Sequence, residues 1–550
     1  MKNSNTLVFL NGKIYTVNDM NEWAEAIVVK DGRIIYVGGS EDARGFIDDG
    51  TEVIDLEGRM MLPGFVDNHC HVFLGSVYNT GIQIDFEWDV ETTKKEIRRF
   101  VEEHPERDSF FGMGYSEWLF PEGQPDKELL DELCPDKPII LLSSGGHEGW
   151  CNTKALEAAN ITKDTPDPVP GFQYFKRDAQ GNPTGLIKET KATNIIIEAI
   201  KPFSPELIKE SLKRTFDEYA SMGVTTLGDC GIYDFADDLT YEAARDMEIK
   251  GELKQRISGS TFCIAEVPFE KALPRLKELN RKYNSEMFSI HTLKVLNDGT
   301  AEAHTASLSY PYCDNGAVIP PVFEGAEFDN MGIETAKAGF DIHVHAIGDR
   351  AIDATLAMAK AVREAGCSDT RITNAHTQMV RPDMLPLFSK YNVLANTTPV
   401  WFFDTDLSFL SEELLPYQFN FHSLLNAGAT VCFGSDFPAD YFGREPLKGI
   451  EMGLTRRLYG RPEASYLTTM DESLSIEQTI KGYTKDALYT HRLEDVTGSI
   501  EVGKYADLVV LERNIFDEDP YSIHKIPVSM TFMNGKMTYC RDRKGAVALA

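Results

Sequence analysis

From about residue 205 onward, short apolar runs of strand character alternate with helical patterns. This alternation constrains the fold more than any other feature of the chain. The runs are VTTLGD (224–229), ISGSTFCI (257–264), IHTLKVLN (290–297), FDIHVHAI (340–347), RITNAHT (371–377), VLANTT (393–398) and TVCFGSD (430–436). Between several of them lie amphipathic stretches such as IETAKAG and AIDATLAMAKAVREAG. Strands alternating with helices argue a parallel sheet, because parallel neighbours need a crossover long enough to hold a helix. Adding GFVDNHCHV (64–72) gives eight strands, the number that closes a (β/α)8 barrel. The expected class is therefore α/β, with a TIM-like barrel.

Residues 73 to about 205 separate the first two runs. They hold strand-like segments of their own, SFFGMGY and KPIILLSS, and a Pro/Gly-rich stretch, TPDPVPGFQYFKRDAQGNPTG. A connection this long is expected to be a substructure or a lid. The termini read differently. LVFLNGKIYTV predicts two strands about an Asn11-Gly12 hairpin, and AIVVKDGRIIYVG repeats the plan at Asp31-Gly32. Near the other end, YADLVVLER precedes VSMTFMNGKMTYC, with Asn534-Gly535 as the turn. The expected division is a small β-sandwich from residues 1–62 and 498–550, with the barrel over 63–497 and an insertion at about 73–205.

The bulk numbers exclude some partners. A chain of 550 residues exceeds what one core holds. Its net charge of −31 argues against nucleic acid and against an anionic membrane surface. No apolar run is long enough to span a bilayer, and the N-terminal segment lacks a signal-peptide core. Nine scattered cysteines without a C-x-x-C pair fit a reducing compartment, which predicts a cytoplasmic protein.

Barrel enzymes place their chemistry at the C-terminal ends of the strands. The first run ends with His69 and His71, the fourth carries Lys294, and the fifth carries His343 and His345. The sixth carries His376, and the eighth ends at Asp436. Alternation turns His69 and His71 to one side, and His343 and His345 likewise. Imidazoles with a carboxylate form a nitrogen/oxygen donor set suited to zinc. One H-x-H pair is weak evidence; the whole series in order is stronger. A lysine is out of place among ligands, because an ammonium repels a dication. It fits if CO2 converts the amine to a carbamate, an anion whose two oxygens can bridge two metals.

Seven segments then match a family pattern in order: LPGFVDNHCHV, PTGLIKET, TLKVLNDGT, HVHAIGDRA, RITNAHT, FGSDFP and GSIEVGKYADLVVLE. Over nearly its whole length the chain resembles the amidohydrolase superfamily, in particular the branch of N-substituted formamide deformylase-like (amidohydrolase 3) metal-dependent hydrolases. The resemblance implies a β-sandwich from both termini around a hydrolase barrel. It implies two divalent metal ions, zinc by preference, with His69, His71 and Asp436 on the more buried ion and His345 and His376 on the other. A carbamylated Lys294 would bridge them, with Lys188 of PTGLIKET as the rival lysine. The implied reaction is cleavage of a non-peptide C–N bond in a small amide, formamide or cyclic amide. Metal-activated hydroxide attacks, and Asp436 acts as general base and then general acid. His147, in SSGGHEGWCNT, is the catalytic candidate for the oxyanion. His304 stands where many relatives carry arginine or a small residue, which places it among the substrate contacts. Trp118, Trp150 and Trp401, with Phe402 and Phe403, are expected to wall an apolar pocket. Asp298, Asp349 and Asp229 are candidates to orient imidazoles, and His343 reads as a histidine behind the ligands. A homodimer is compatible with the resemblance.

Two other functions compete. A single-metal deaminase needs no bridging lysine and adds an H-x-x-E motif. The one match, HRLE at His491–Glu494, lies beyond the last strand. A non-catalytic scaffold would have lost ligands, and His69, His71, His345, His376 and Asp436 are all present.

Overall fold

The computed structural model describes residues 6–85, 88–116, 126–144, 146, 148–171, 173–232, 237–264, 267–439, 442–468 and 470–542. The chain divides into two compact units. One comprises Met1–Val72, Thr215–Gly231 and Met247–Ala550, the other Phe73–Arg214 and Ile232–Asp246.

The first unit is built on an eight-stranded parallel sheet. Its strands are β1 (Phe65–Cys70), β2 (Val224–Asp229), β3 (Arg256–Cys263), β4 (Phe288–Leu296), β5 (Asp341–Ala346), β6 (Ile372–His376), β7 (Val393–Thr397) and β8 (Val431–Phe433). Each is hydrogen-bonded to the next in chain order. All eight runs expected as strands form strands. They are legible because the strands are almost wholly buried on both faces, so each reads as a continuous apolar segment. The crossover helix Asp349–Glu364 buries Ala351, Ile352, Thr355, Leu356, Ala359 and Val362, the three-and-four spacing of a helix covering a sheet. The fold is an α/β TIM-like barrel.

The seam between β8 and β1 closes just beyond the strand ends. Asp436 N donates to His69 O at 2.7 Å, and His71 N donates to Phe437 O at 2.7 Å. Gly434 makes this approach possible: a Cβ there would sit 2.4 Å from His69 N and 2.8 Å from His69 O.

The same unit contains two further sheets. One has the order Arg33–Gly38, Ala26–Lys30, Thr6–Leu10, Thr51–Asp55; the other runs Lys536–Cys540, Val528–Met533, Leu508–Leu511, Met60–Pro63, Lys13–Tyr15, Trp23–Ala24. Phe9, Ile27, Val29, Met61, Leu508, Val510 and Phe532 pack into one core drawn from both ends of the chain. Asp31-Gly32 and Asn534-Gly535 close two-residue hairpins, pairing Lys30 with Arg33 and Met533 with Lys536. Both turns need positive φ at both positions and have it, at 52° and 83° and at 49° and 71°. The expected Asn11-Gly12 hairpin does not form. Strand Thr6–Leu10 already has Ala26–Lys30 on one edge and Thr51–Asp55 on the other. No edge is left for Lys13–Tyr15, so the chain crosses at Asn11-Gly12 into the second sheet and pairs with Met60 and Met61.

The second unit has its own six-stranded sheet, ordered Tyr174–Arg177, Pro183–Lys188, Glu148–Cys151, Ile139–Ser143, Phe110–Tyr115, Ile82–Gln83. Phe111, Ile140, Ile187 and Ile196 form one apolar cluster, and Ile97, Phe110, Leu130, Leu141 and Trp150 form another. The insertion is therefore a folded substructure with a core of its own. Among the described residues no helix is long and apolar enough to cross a membrane.

The seam gives a first prediction. Gly434→Ala should lower the thermal unfolding midpoint by an amount equivalent to roughly 1–3 kcal/mol of overpacking. An unchanged midpoint would show that β1 and β8 tolerate separation at His69.

Candidate active site

The strand ends bring the six residues expected as ligands into one cluster. His69 Nε2 lies 3.2 Å from Asp436 Oδ1 and 3.1 Å from Lys294 Nζ. His71 Nε2 lies 3.6 Å from the same Asp436 oxygen. The ring of His376 is 4.8 Å from that of His69 and 4.3 Å from that of His345, centre to centre. His71 is the first residue past β1, and Asp436 lies three residues past β8 rather than at its end, with φ of 54°. Cys70, between the two histidines, turns away, its thiol 3.6 Å from Gly228 O. His69 and Lys294 are each 1% exposed, so the base of the cluster is sealed from solvent.

Hydrogen bonds fix which imidazole nitrogens are free. His71 Nδ1 donates to Gly231 O at 3.0 Å, and His345 Nε2 donates to Gly299 O at 3.3 Å. A carbonyl only accepts, so the bare nitrogens are Nε2 of His71 and Nδ1 of His345. His376 Nδ1 is buried without a hydrogen-bond partner among the described residues. Burial, then the neighbouring Lys294 charge, depresses His69 well below the usual histidine range and His345 to about 4. Burial also lowers His71 and His376. These rings are neutral lone-pair donors, the form a metal requires. Burial raises Asp436 against the opposing pull of His71 and Lys294.

Among the described residues, the donor atoms of His69, His71 and Asp436 lie within 4.8 Å of one another, as do those of His69, Cys230 and His343. The first trio offers the nitrogen/oxygen set of a divalent metal site. An orphaned imidazole nitrogen on His376 and bare nitrogens on His71 and His345 complete a donor set that fits such ions.

Buried carboxylates hold this arrangement, and one of them the sequence reading did not single out. Asp67 accepts from Ser435 N at 2.8 Å, from Ser435 Oγ at 2.5 Å and from Tyr219 OH at 3.1 Å. Burial lifts its pKa to about 6 in spite of these donors. Its position two residues before His69 was a readable signal, since alternation puts both on one side of β1. Asp229 accepts from Gly231 N, and Gly231 O in turn holds His71. Asp298 accepts from the backbone of Ser307, Ile347 and Gly348, with His345 Nε2 3.7 Å away. Asp349 takes Ser309 N and pairs with Arg381. His343 stands behind His69, its Nε2 3.0 Å from His69 Nδ1.

The remaining expectations divide. Trp401 stacks on His376, with centres 5.8 Å apart and planes 21° from parallel. Phe262, which nothing in the sequence marked, stacks on His71 at 5.9 Å and 16°. Trp150 is instead a core residue of the second unit: it is fully buried, and its indole N–H donates to Asp126 O at 2.6 Å. Phe402 is likewise core, packed on Phe419 and Phe421. The His304 imidazole is engaged within its own neighbourhood, 2.8 Å from Asp314 Oδ2 and between the rings of Tyr312 and Phe409. Lys188 pairs with Glu148 inside the second unit. In HRLE, Glu494 grips Arg371 through both oxygens, so that motif is structural. His147 and Trp118 lie outside the described residues.

The amidohydrolase family model matches residues 52–539. The chain belongs to the amidohydrolase family. The exoenzymes regulatory protein AepA of Pectobacterium carotovorum is 33% identical over 401 residues, spanning 72% of this chain and 85% of that protein. The N-substituted formamide deformylase of Arthrobacter pascens is 24% identical over 551 residues, 97% of this chain and 98% of that one. An uncharacterized metal-dependent hydrolase from Pyrococcus horikoshii shares the fold, with a TM-score of 0.76 at 23% identity over 94% of this chain and 98% of that chain. This amidohydrolase is accordingly a hydrolytic enzyme acting on carbon–nitrogen bonds.

The carboxylate under the seam gives the second prediction. Asp67→Asn puts an amide N–H₂ where donors converge, at a cost of roughly 1–3 kcal/mol. A fall in the thermal midpoint of the metal-free enzyme is expected; an unchanged midpoint removes Asp67 from the seam's support.

Proposed function

We propose that this amidohydrolase cleaves a C–N bond in a small amide, formamide or cyclic amide with two divalent metal ions, zinc by the chemistry of the donors. His69, His71 and Asp436 hold the more buried ion, and His345 and His376 hold the second. Lys294, carbamylated by CO2, joins them. The carrying observation is the Lys294 amine itself. It is buried 3.1 Å from a histidine nitrogen, with no carboxylate at ion-pair distance among the described residues. A buried ammonium without an ion-pair partner has a desolvation cost that one imidazole contact and the more distant Asp436 carboxylate offset only in part. As a carbamate the same side chain is an anion with oxygen donors.

Divalent ions on such donors supply a nucleophilic water of lowered pKa and polarise a carbonyl. The protein moves the proton. The Asp436 carboxylate accepts the proton the attacking water loses and returns it to the nitrogen of the departing amine. Trp401 on His376 and Phe262 on His71 flank the cluster with aromatic planes, which suits a flat or apolar substituent. The name of the Arthrobacter pascens relative makes N-formyl amines the first substrates to screen. His147 is proposed as a donor to the oxyanion on its sequence pattern, and residues 1–62 with 498–550 as a β-sandwich domain beside a barrel domain. Nine free cysteines support a reducing, cytoplasmic setting.

Elemental analysis of protein purified without added metal tests the centre. About two ions per chain, with one or both lost in Lys294→Ala, are expected for a bridged pair. About one ion, unaffected by Lys294→Ala, would sink the bridge. Asp436→Asn should slow turnover of a responsive amide by roughly 10²–10⁴-fold; a rate near the parent's would remove Asp436 from proton transfer.

A further inference from the structure

The imidazoles of the centre are not held alike. His71 and His345 each give their second nitrogen to a backbone carbonyl, which accepts and never donates, so their tautomers are fixed outright. His69 faces another imidazole instead. Its Nδ1 lies 3.0 Å from His343 Nε2, and a histidine nitrogen can serve as donor or as acceptor. If His343 Nε2 carried the proton, His69 Nδ1 would accept it. The hydrogen of His69 would then sit on Nε2, the nitrogen that faces Asp436 and Lys294 and must be bare to bind a metal.

We infer that His343 is a positioning residue: its Nε2 is the bare acceptor that keeps the proton of His69 on Nδ1 and frees His69 Nε2 for the metal. The inference rests on the metal-site reading above. Three further observations support it. His343 reaches His69 across the barrel interior, from β5 to β1, with ring centres 4.8 Å apart. Strand register pairs His343 with Lys294 on β4, so the residue is built in at the level of the buried end of the cluster. The Cys230 thiol lies 3.9 Å from the same His343 Nε2. An S–H is a weak donor, here shared between His343 Nε2 and Gly228 O, the latter at 4.0 Å. The Asn396 side chain also approaches His69, with its amide nitrogen donating to Cys432 O at 3.3 Å.

Zinc affinity, measured by competition with a chromophoric chelator, tests this on the parent, His69→Ala, His343→Phe and His343→Gln, beside the unfolding midpoint of each metal-free protein. His343→Phe keeps a ring but removes the acceptor; His343→Gln restores an acceptor oxygen. Zinc binding lost in His69→Ala, weakened roughly tenfold to hundredfold in His343→Phe and largely recovered in His343→Gln is the expected result. Parent affinity in His343→Phe, with zinc lost in His69→Ala, overturns the inference and leaves the metal site standing. Equal weakening in Phe and Gln variants, tracking an equal loss of metal-free stability, assigns His343 to packing and overturns it too. Parent affinity in His69→Ala overturns the metal site and the role of His343 with it.

Discussion

The seam between the first and last barrel strands is the constraint on which the rest of this structure depends. A parallel barrel must join β1 to β8 somewhere. Here the join lies at residues 67–71 against 434–437, in two backbone hydrogen bonds and the grip of Asp67 on Ser435. The two sides of the seam carry His69 and His71 on one hand and Asp436 on the other. Closing the barrel and assembling the centre are therefore one event. A slip of one residue would turn His69 outward, since side chains alternate along a strand. β8 ends at Phe433, and the chain then turns through the left-handed conformation of Asp436 to bring its carboxylate back over β1. A non-glycine residue holds that conformation only where its surroundings impose it. Asp436 N, bonded to His69 O, is the imposing contact.

The centre is a concentration of lone pairs in a place where protons are unwelcome. Burial keeps the four imidazoles neutral, and Lys294 as the unmodified amine discourages protonation of His69 and His345 further. Buried polar atoms without partners each cost about 1–3 kcal/mol, so the cluster weakens the fold it sits in. Under the proposed function, metal binding to preformed neutral donors would offset that cost. This explains why the rest of the rim is so heavily bonded: the loops must stay in place while the bare nitrogens contribute nothing to holding them.

The sequence made the barrel legible and the sheet edges illegible, for the same physical reason. Eight strands buried on both faces leave eight apolar runs, and polar residues at their ends stand out against them. Asn11-Gly12 carries the same local turn signal as Asp31-Gly32, yet only the latter closes a hairpin. Which edges of a strand are occupied is a tertiary fact, and strand Thr6–Leu10 had none to spare. Trp150 shows the same limit. An aromatic residue near the expected site reads as a pocket wall, but the carbonyl of Asp126 that satisfies its indole is distant in sequence and holds it in a core. Phe262 is the reverse case. It lies inside an apolar strand run, with no mark to separate it from its neighbours, and its plane against His71 exists only in the folded barrel.

Four aspartates on or just after β1, β2, β4 and β5 perform one task. Asp67, Asp229, Asp298 and Asp349 each accept backbone N–H groups from loops at the C-terminal rim. The strand ladder ends before those loops begin, so their amides need acceptors from elsewhere. A neutral acceptor would satisfy one or two of them; a carboxylate takes several, and the bonds are stronger because it is charged. The opposing cost is visible in Asp298, which burial pushes to about 7 although three backbone amides pull the other way. Such groups are worth burying only where the geometry they fix matters. In this barrel they lie beside His69, His71 and His345, at the end where the ladder gives no help.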